Sequence, residues 1–377
     1  MHVRSVRARC SNKHSLLMQN TLVVATTDAH DQASFSMAMA LLRRTDWTSM
    51  RERDCEGEMW QSRSEPIILI LLALILSFVY SKRSNVFMWL LEDGLVRNDH
   101  IDRRFQEITG VQPDDVLFLS RHASASGSPA LTVHPIGNPG RAEAEAGGIP
   151  NRCPPPSPRL ASLYRSLYKK TAASDLKGHF DVSLEGTHHG PWLTTPSLFA
   201  EIGRMTISLL ARPHTLMNSG STESEWTRQD AAMHWADVLV EELRIEGGDE
   251  EGEQLSAEDK AIVVVGLGGG HYAPRHGDVA RKDGVFLGHI LPSYTLDFSS
   301  SEWKSTVLEA IDSSASAFER AGRAVDVVCH LDKKAFRSAD REMLKHLLVS
   351  HGYHVAMSPA EADKIVRGAR EELSVSP

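Results

Sequence analysis

The sequence predicts an α/β protein with a mixed, largely parallel sheet covered by helices on both faces. Three observations carry this expectation. Short apolar runs rich in β-branched residues, such as 261–265 (AIVVV), recur along the chain, as strands buried on both faces require. Segments with apolar residues at helical spacing stand between them, the alternation that builds parallel crossovers. Histidines follow the runs, and in open α/β sheets ligands bind at the carboxyl ends of the strands.

Residues 21–25 (TLVVA) form a first strand, and Thr26, Thr27 and Asp28 cap a helix over 32–42. After a polar stretch, residues 67–80 (IILILLALILSFVY) are apolar but for Ser77 until the closing tyrosine. A membrane span needs about 17–25 such residues, and Pro66, Lys82 and Arg83 bound this one. It reads as a buried helix or an inserted segment. Strands at 116–120 (VLFLS) and 130–133 (ALTV) run into Arg121-His122 and His134. A Pro- and Gly-rich loop covers 139–158, followed by an amphipathic helix over 159–173 with Leu160, Leu163, Tyr164, Leu167 and Tyr168 on one face. Arg165, Lys169 and Lys170 make its other side basic. The strand 180–185 (FDVSLE) leads into Gly186-Thr187-His188-His189. A helix over 223–243 is capped by Ser221 or Thr222, and an acidic loop follows it. Strands at 261–265, 285–287 and 325–329 run into His271, His289 and His330 with Asp332, and helices cover 301–321 and 339–351. One catalytic domain over 21–358 is expected, with a C-terminal tail at 359–377. The basic residues 1–20 are an organelle transit peptide, a disordered tail, or the product of a mis-called start upstream of Met18.

A chain of 377 residues can bury one large core or two ordinary ones. Its net charge of −8 argues against DNA binding and strong non-specific nucleic-acid binding, while leaving room for a local basic groove. Cys10, Cys55, Cys153 and Cys329 are scattered, which excludes a cysteine zinc ribbon and fits a reducing, cytoplasmic compartment.

A lone histidine after a strand is more often a turn or core residue than a ligand. Six strand ends with imidazoles nevertheless suggest one polar site. Residues 266–271 (GLGGGH) are not a dinucleotide fingerprint, because His271 stands where GxGxxG needs glycine. Gly268, Gly269 and Gly270 would let a backbone approach a ligand closely and offer N–H groups to an oxyanion. Arg275 and His276 add a cation and a second imidazole. In 185–191 (EGTHHGP), His188 and His189 can converge on a turn. Imidazole suits zinc, a catalytic zinc keeps one position open, and a bound metal brings the pKa of water from about 15.7 to about 7. Without a metal, His188 paired with Glu201 would serve as a general base. With no GxSxG elbow, a covalent nucleophile is the weaker route.

Long stretches carry a family resemblance. Residues 116–138 (VLFLSRHASASGSPALTVHPIGN), 184–191 (LEGTHHGP), 196–203 (PSLFAEIG), 221–226 (STESEW), 264–276 (VVGLGGGHYAPRH) and 277–290 (GDVARKDGVFLGHI) resemble the D-aminoacyl-tRNA deacylases of archaea and plants. The opening TLVVATTDAHDQAS fits as well. The resemblance implies a zinc-dependent hydrolase that releases D-amino acids from tRNA, with a fold related to peptidyl-tRNA hydrolases and purine phosphorylases. It implies His188, His189 and His271 as metal or base residues, with Glu201 catalytic. Arg121, His122, Arg275 and His276 would orient substrate, and Gly268 to Gly270 would face the terminal adenosine or the oxyanion. The expected partner is the 3′ end of D-aminoacyl-tRNA, acting on a monomer without membrane attachment. Segments 63–82 and 204–220 are additions to the family pattern, of the kind a translated intron leaves. Two rivals stay open: a metal-dependent hydrolase or phosphorylase of nucleosides or small esters, and a membrane-tethered, histidine-rich binding protein.

Overall fold

Two sheets meet along a seam, and the seam is where the conspicuous histidines come together. The computed structural model describes residues 20–44, 47–49, 78–81, 84–124, 129–140, 146–205, 227–245, 261–320 and 324–374. The larger sheet runs in the order β2 (Thr48–Ser49), β3 (Phe78–Ser81), β4 (Val86–Leu91), β1 (Thr21–Thr26), β5 (Asp115–Ser124), β8 (Ser197–Met205), β6 (Ala130–Pro135) and β7 (Asp181–Leu184). Strands β4, β1, β5 and β8 are parallel, β6 lies antiparallel to β8 and parallel to β7, and β2 and β3 close the far edge antiparallel. The smaller sheet, β10 (Phe286–Leu291), β9 (Ala261–Leu267), β11 (Val325–Leu331) and β12 (His354–Ala356), is wholly parallel. The sheet is therefore mixed and largely parallel, as expected, but divided in two.

Among the described residues, eight helices cover the faces: α1 (Gln32–Leu42), α2 (Ile101–Thr109), α3 (Leu160–Ala172), α4 (Gln229–Glu242), α5 (Pro274–Ala280), α6 (Glu302–Glu319), α7 (Ser338–Ser350) and α8 (Pro359–Ser374). Strand parity explains how. In β1, Val23 and Ala25 join the core under α1, α3 and α4, while Leu22 and Val24 join a second core with Ile101 and Phe105 of α2. In β9, Ile262 and Val264 face the first core, and Val265 and Leu267 pack on Trp303, Val307 and Leu344 of α6 and α7. Burial on both faces is why these strands read as continuous apolar runs.

Several boundaries differ from the sequence expectation. The strands run on through residues read as their followers, so Arg121, His122, His134, His289 and His330 lie within β5, β6, β10 and β11. Asp31, not the Thr26 to Asp28 stretch, caps α1, its carboxylate accepting from Ser34 N–H at 2.9 Å. The same side chain accepts from Ser120 and from Arg121 N–H, tying α1 to the end of β5. Helix α4 begins at Gln229 after Arg228, and the proposed caps Ser221 and Thr222 lie outside the described residues. Of the apolar run 67–80, the described part belongs to β3, paired antiparallel with β4 rather than helical; 67–77 lie outside. Arg204 and Met205, the first residues of the segment 204–220, pair with β5 as the end of β8. The tail at 359–377 is mostly the helix α8, which buries Ala362 and Val366 in the first core. Among the described residues, no helix is long and apolar enough to cross a membrane.

Candidate functional site

Three adjacent strands begin the site. The register pairs Ser120 with Glu201 and His122 with Gly203 across β5 and β8, and Thr132 with Glu201 and His134 with Phe199 across β6. Side chains of paired residues share a face, so His122, Glu201 and His134 stand together. Gly203 makes the room: a Cβ there would lie 3.2 Å from the His122 ring and 3.2 Å from the Ala130 carbonyl.

The loop after β7 adds the rest, held by the smaller sheet. Gly186 N–H donates to His271 C=O, Thr187 N–H to Ile290 C=O and Ala273 N–H to Leu184 C=O. His289, buried in β10, donates from Nε2 to Pro154 C=O and accepts from the Thr187 hydroxyl at Nδ1. Burial pushes this imidazole down to about 3, so it stays neutral and fixes the turn that carries His188 and His189. His189 sits at φ 44°, a left-handed conformation uncommon outside glycine, though histidine adopts it more readily than most residues.

Five imidazoles and two carboxylates converge here. Glu185, fully buried, reaches His122 Nδ1 at 3.1 Å, His271 Nε2 at 3.0 Å and His188 Nε2 at 3.7 Å. Glu201 reaches His122 Nδ1 at 3.3 Å and His134 Nε2 at 3.6 Å. Burial would lower His122, but the hydrogen bond to Glu201 and the two carboxylate charges outweigh it and raise the imidazole above its usual range. His134 is raised in the same way, burial being offset by Glu201 first and Glu185 second. Glu201 answers them: burial would raise it, yet the two imidazoles hold it well below the usual carboxylate range. Burial, with the neighbouring imidazoles, pushes His188 well below its usual range and His189 down to about 4.

The tautomers follow from the backbone. Nδ1–H donates to Pro135 C=O in His134, to Gly186 C=O in His188 and to Gly190 C=O in His189. His188 and His189, both pushed down, therefore present Nε2 lone pairs inward, the arrangement that metal-ligating histidines show, while His134 turns its Nε2 to Glu201 and would ligate only on giving up that proton. Donor atoms of His134, His188 and His189 lie within 4.8 Å of one another, as do those of His122, Glu185 and His271, and of His134, Glu185 and Glu201. These clusters could bind a metal. Among the described residues, His134 Nε2, both Glu185 oxygens and Glu201 Oε2 are buried without a well-formed hydrogen bond. Buried polar atoms are nearly always satisfied, so a cation fits this donor set.

Not every expected residue joins. His188, His189 and His271 are neighbours, with His271 4.7 Å from the His188 ring, but their donor atoms divide between two groups. Glu201 pairs with His122 and His134 rather than with His188. His276 is buried under the glycine turn, donating from Nε2 to Gly268 C=O and accepting at Nδ1 from His330. Burial pushes the pair down to about 4 and about 3, so they support the turn instead of touching a substrate. The strand-end histidines thus form one site and two buried supports. Arg275 pairs with Asp332 at 2.7 Å, and Arg121 has an exposed side chain at the end of β5. Gly268 (φ 100°) packs under Phe336 and Ala335, whereas beside Gly269 (φ 93°) and Gly270 a Cβ would meet open space.

Three residues were missed. Glu185 is the only carboxylate in EGTHHGP and directly precedes the loop, which was the available signal. His134 was visible at a strand end. Tyr272, whose hydroxyl lies 3.1 Å from His122 Nε2, had none.

Comparisons with known proteins identify the family. The family model for D-aminoacyl-tRNA deacylase matches residues 109–207 and 208–356. A D-aminoacyl-tRNA deacylase of Arabidopsis thaliana is 34% identical over 352 residues, covering 89% of this chain and 97% of that one. One of Pyrococcus horikoshii is 32% identical over 273 residues, covering 71% and 82%. A crystal structure described as a conserved protein of unknown function superposes with a TM-score of 0.65 at 23% identity, over 92% of this chain and 97% of that one. That likeness concerns the fold.

Proposed function

The chain belongs to the D-aminoacyl-tRNA deacylase family, and we propose that it cleaves the D-aminoacyl ester at the seam cluster, with the following division of labour. The enzyme is an ester hydrolase acting on D-aminoacyl-tRNA and releasing the D-amino acid from the tRNA. The observation that carries the siting is the convergence of three inward Nε2 atoms, of His134, His188 and His189, beside two buried carboxylates.

His134, His188 and His189 would hold a metal through Nε2, their Nδ1–H groups already committed to backbone carbonyls. Zinc suits an all-imidazole set, and it would supply Lewis acidity toward the ester carbonyl and toward water. His271 is the base. Its Nε2 lies 3.0 Å from Glu185 and its side chain is 35% exposed, so with the ring proton on the carboxylate side Nδ1 would be left as the lone pair that takes a proton from the attacking water. Glu185 fixes that tautomer and stabilises the imidazolium that forms, as a carboxylate does behind any catalytic histidine. With His122 protonated between the carboxylates, its Nε2–H donates to the Tyr272 oxygen. The phenol hydrogen is then available to the substrate. The open backbone beside Gly269 and Gly270 lets the ester carbonyl approach main-chain N–H groups.

The test is release of D-tyrosine and L-tyrosine from matched tyrosyl-tRNAs, with and without a chelator. The expected result is selective release of the D-amino acid, lost on chelation and restored by zinc. Equal release of both, or release of neither, overturns the proposal.

A further inference from the structure

A groove next to the cluster is not used by the chemistry above. It encloses about 590 Å³ between the carboxyl end of α3, the turn after it and β7. That is within the range of small-molecule sites, about 300–1,000 Å³, and more than one amino-acid side chain fills. Tyr168, Phe180 and Tyr272 line it with aromatic surface, and Lys177 and Asp181 are its charged lining groups. Tyr168 is 42% exposed, and the Arg281 guanidinium stands 4.6 Å from its ring. The Arg228 guanidinium stands 4.9 Å from the Phe180 ring. The inner end is the reacting end, because Tyr272 both lines the groove and touches His122, and Ala130 lies against the Gly203 gap beside the same ring.

We propose that this groove holds the unpaired 3′-terminal nucleotides of tRNA, a deepening that rests on the deacylase reading. Tyr168 is the exposed ring, Phe180 being buried, and an exposed aromatic is a stacking platform for an unpaired base. Lys177 is the lining cation that would follow the phosphates, since Arg228 and Arg281 pair with Asp230 and Asp278. Asp181 adds a preference. A carboxylate accepts from the exocyclic amino group of cytosine or adenine and finds no such donor on uracil. The terminal CCA of tRNA consists of amino-bearing bases alone. Binding is thereby confined to one groove, which suits a chain whose net charge of −8 disfavours broad contact with a phosphate backbone.

The experiment uses the full chain and two fluorescein-labelled RNA tetranucleotides, ACCA and AUUU, read by anisotropy, beside steady-state kinetics on D-tyrosyl-tRNA. The expectation is at least about fivefold tighter binding of ACCA, and about tenfold weaker ACCA binding in Tyr168→Ala and Lys177→Glu. KM should rise in parallel in both variants while kcat stays within about twofold, the pattern of lost uniform binding. Asp181→Asn should erase the preference over AUUU. Lys345→Glu, an exposed charge reversal on α7, should change nothing. Unchanged ACCA affinity and KM in the groove variants overturns the proposal. So does a changed order of preference among D-amino acids at unchanged ACCA affinity, which would make the groove an acyl pocket. Tight ACCA binding lost in the variants, in a wild-type chain that releases no D-tyrosine, supports the groove while refuting the deacylase reading.

Discussion

Glu185→Gln isolates the carboxylate on which the acid–base assignment depends. The substitution keeps the shape of a fully buried side chain and removes its charge. Opposite unit charges 3.0 Å apart attract by ~5 kcal/mol at an effective dielectric constant of about 20. His271 is 35% exposed on its side chain, and solvent screening reduces that to ~2–3 kcal/mol. The attraction matters only when His271 has accepted a proton, so its loss falls on the transition state, where each 1.36 kcal/mol is about tenfold in rate. The expected kcat is therefore about 10²-fold lower, with KM for D-tyrosyl-tRNA unchanged within about threefold. The assay is initial-rate release of D-tyrosine from D-tyrosyl-tRNA by variant protein whose circular dichroism and melting match the wild type. A folded Glu185→Gln enzyme within about threefold of wild-type kcat would refute the His271–Glu185 pairing as the working base.

Other outcomes follow from the same structure. His134→Ala should lose bound zinc by atomic emission while His122→Ala retains it, and the reverse would move the metal to His122, Glu185 and His271. Asp115 is pushed up to about 7, burial outweighing Arg159 and Ser157. The folded state thus holds this proton more tightly than the unfolded chain, and stability falls as pH rises from about 4 to about 7. Asp115→Asn should remove up to ~4 kcal/mol of that decline, seen as a flatter plot of urea midpoint against pH than wild type; superimposable plots would contradict it. Ending the chain at Ser358 removes α8 and uncovers Ala362's and Val366's share of the core, which should cost at least ~3 kcal/mol in chemical denaturation. Equal stability would return 359–377 to the status of a tail. Gly266→Ala places a Cβ 2.8 Å from His276 Nδ1, so melting temperature and deacylation should fall together, where Gly269→Ala should lower activity more than stability.

The fold class was legible because strands such as 261–265 and 116–119 are apolar on every residue, and only a sheet covered on both faces accepts that pattern. Strand lengths were not, because polar residues that face a buried site, His122 and His134 among them, look like strand ends when the site is unknown. The division into two sheets lies in pairings between distant segments, for which period carries no information. Glu185 and Tyr272 escaped for a related reason. Their role depends on the hydrogen bonds from 184–187 to 271–273 and to 290, contacts that no local spacing encodes. His276, His289 and His330 show the opposite error: burial made structural supports of residues whose type suggested chemistry.

The seam between the sheets has a consequence for how activity appears during folding. His122 and His271 sit 5.2 Å apart, ring to ring, yet are separated by most of the central part of the chain. Neither sheet contains both the base and its carboxylate: the larger sheet brings Glu185 at the end of β7, with Glu201, His122 and His134, while the loop after β9 brings His271. Contacts of such long sequence separation form late, after loop-closure entropy has been met. Every translating cell is full of aminoacyl esters that must not be cleaved, and this architecture withholds reactivity from nascent or partly unfolded chains. Hydrolytic competence therefore requires both sheets to be in place.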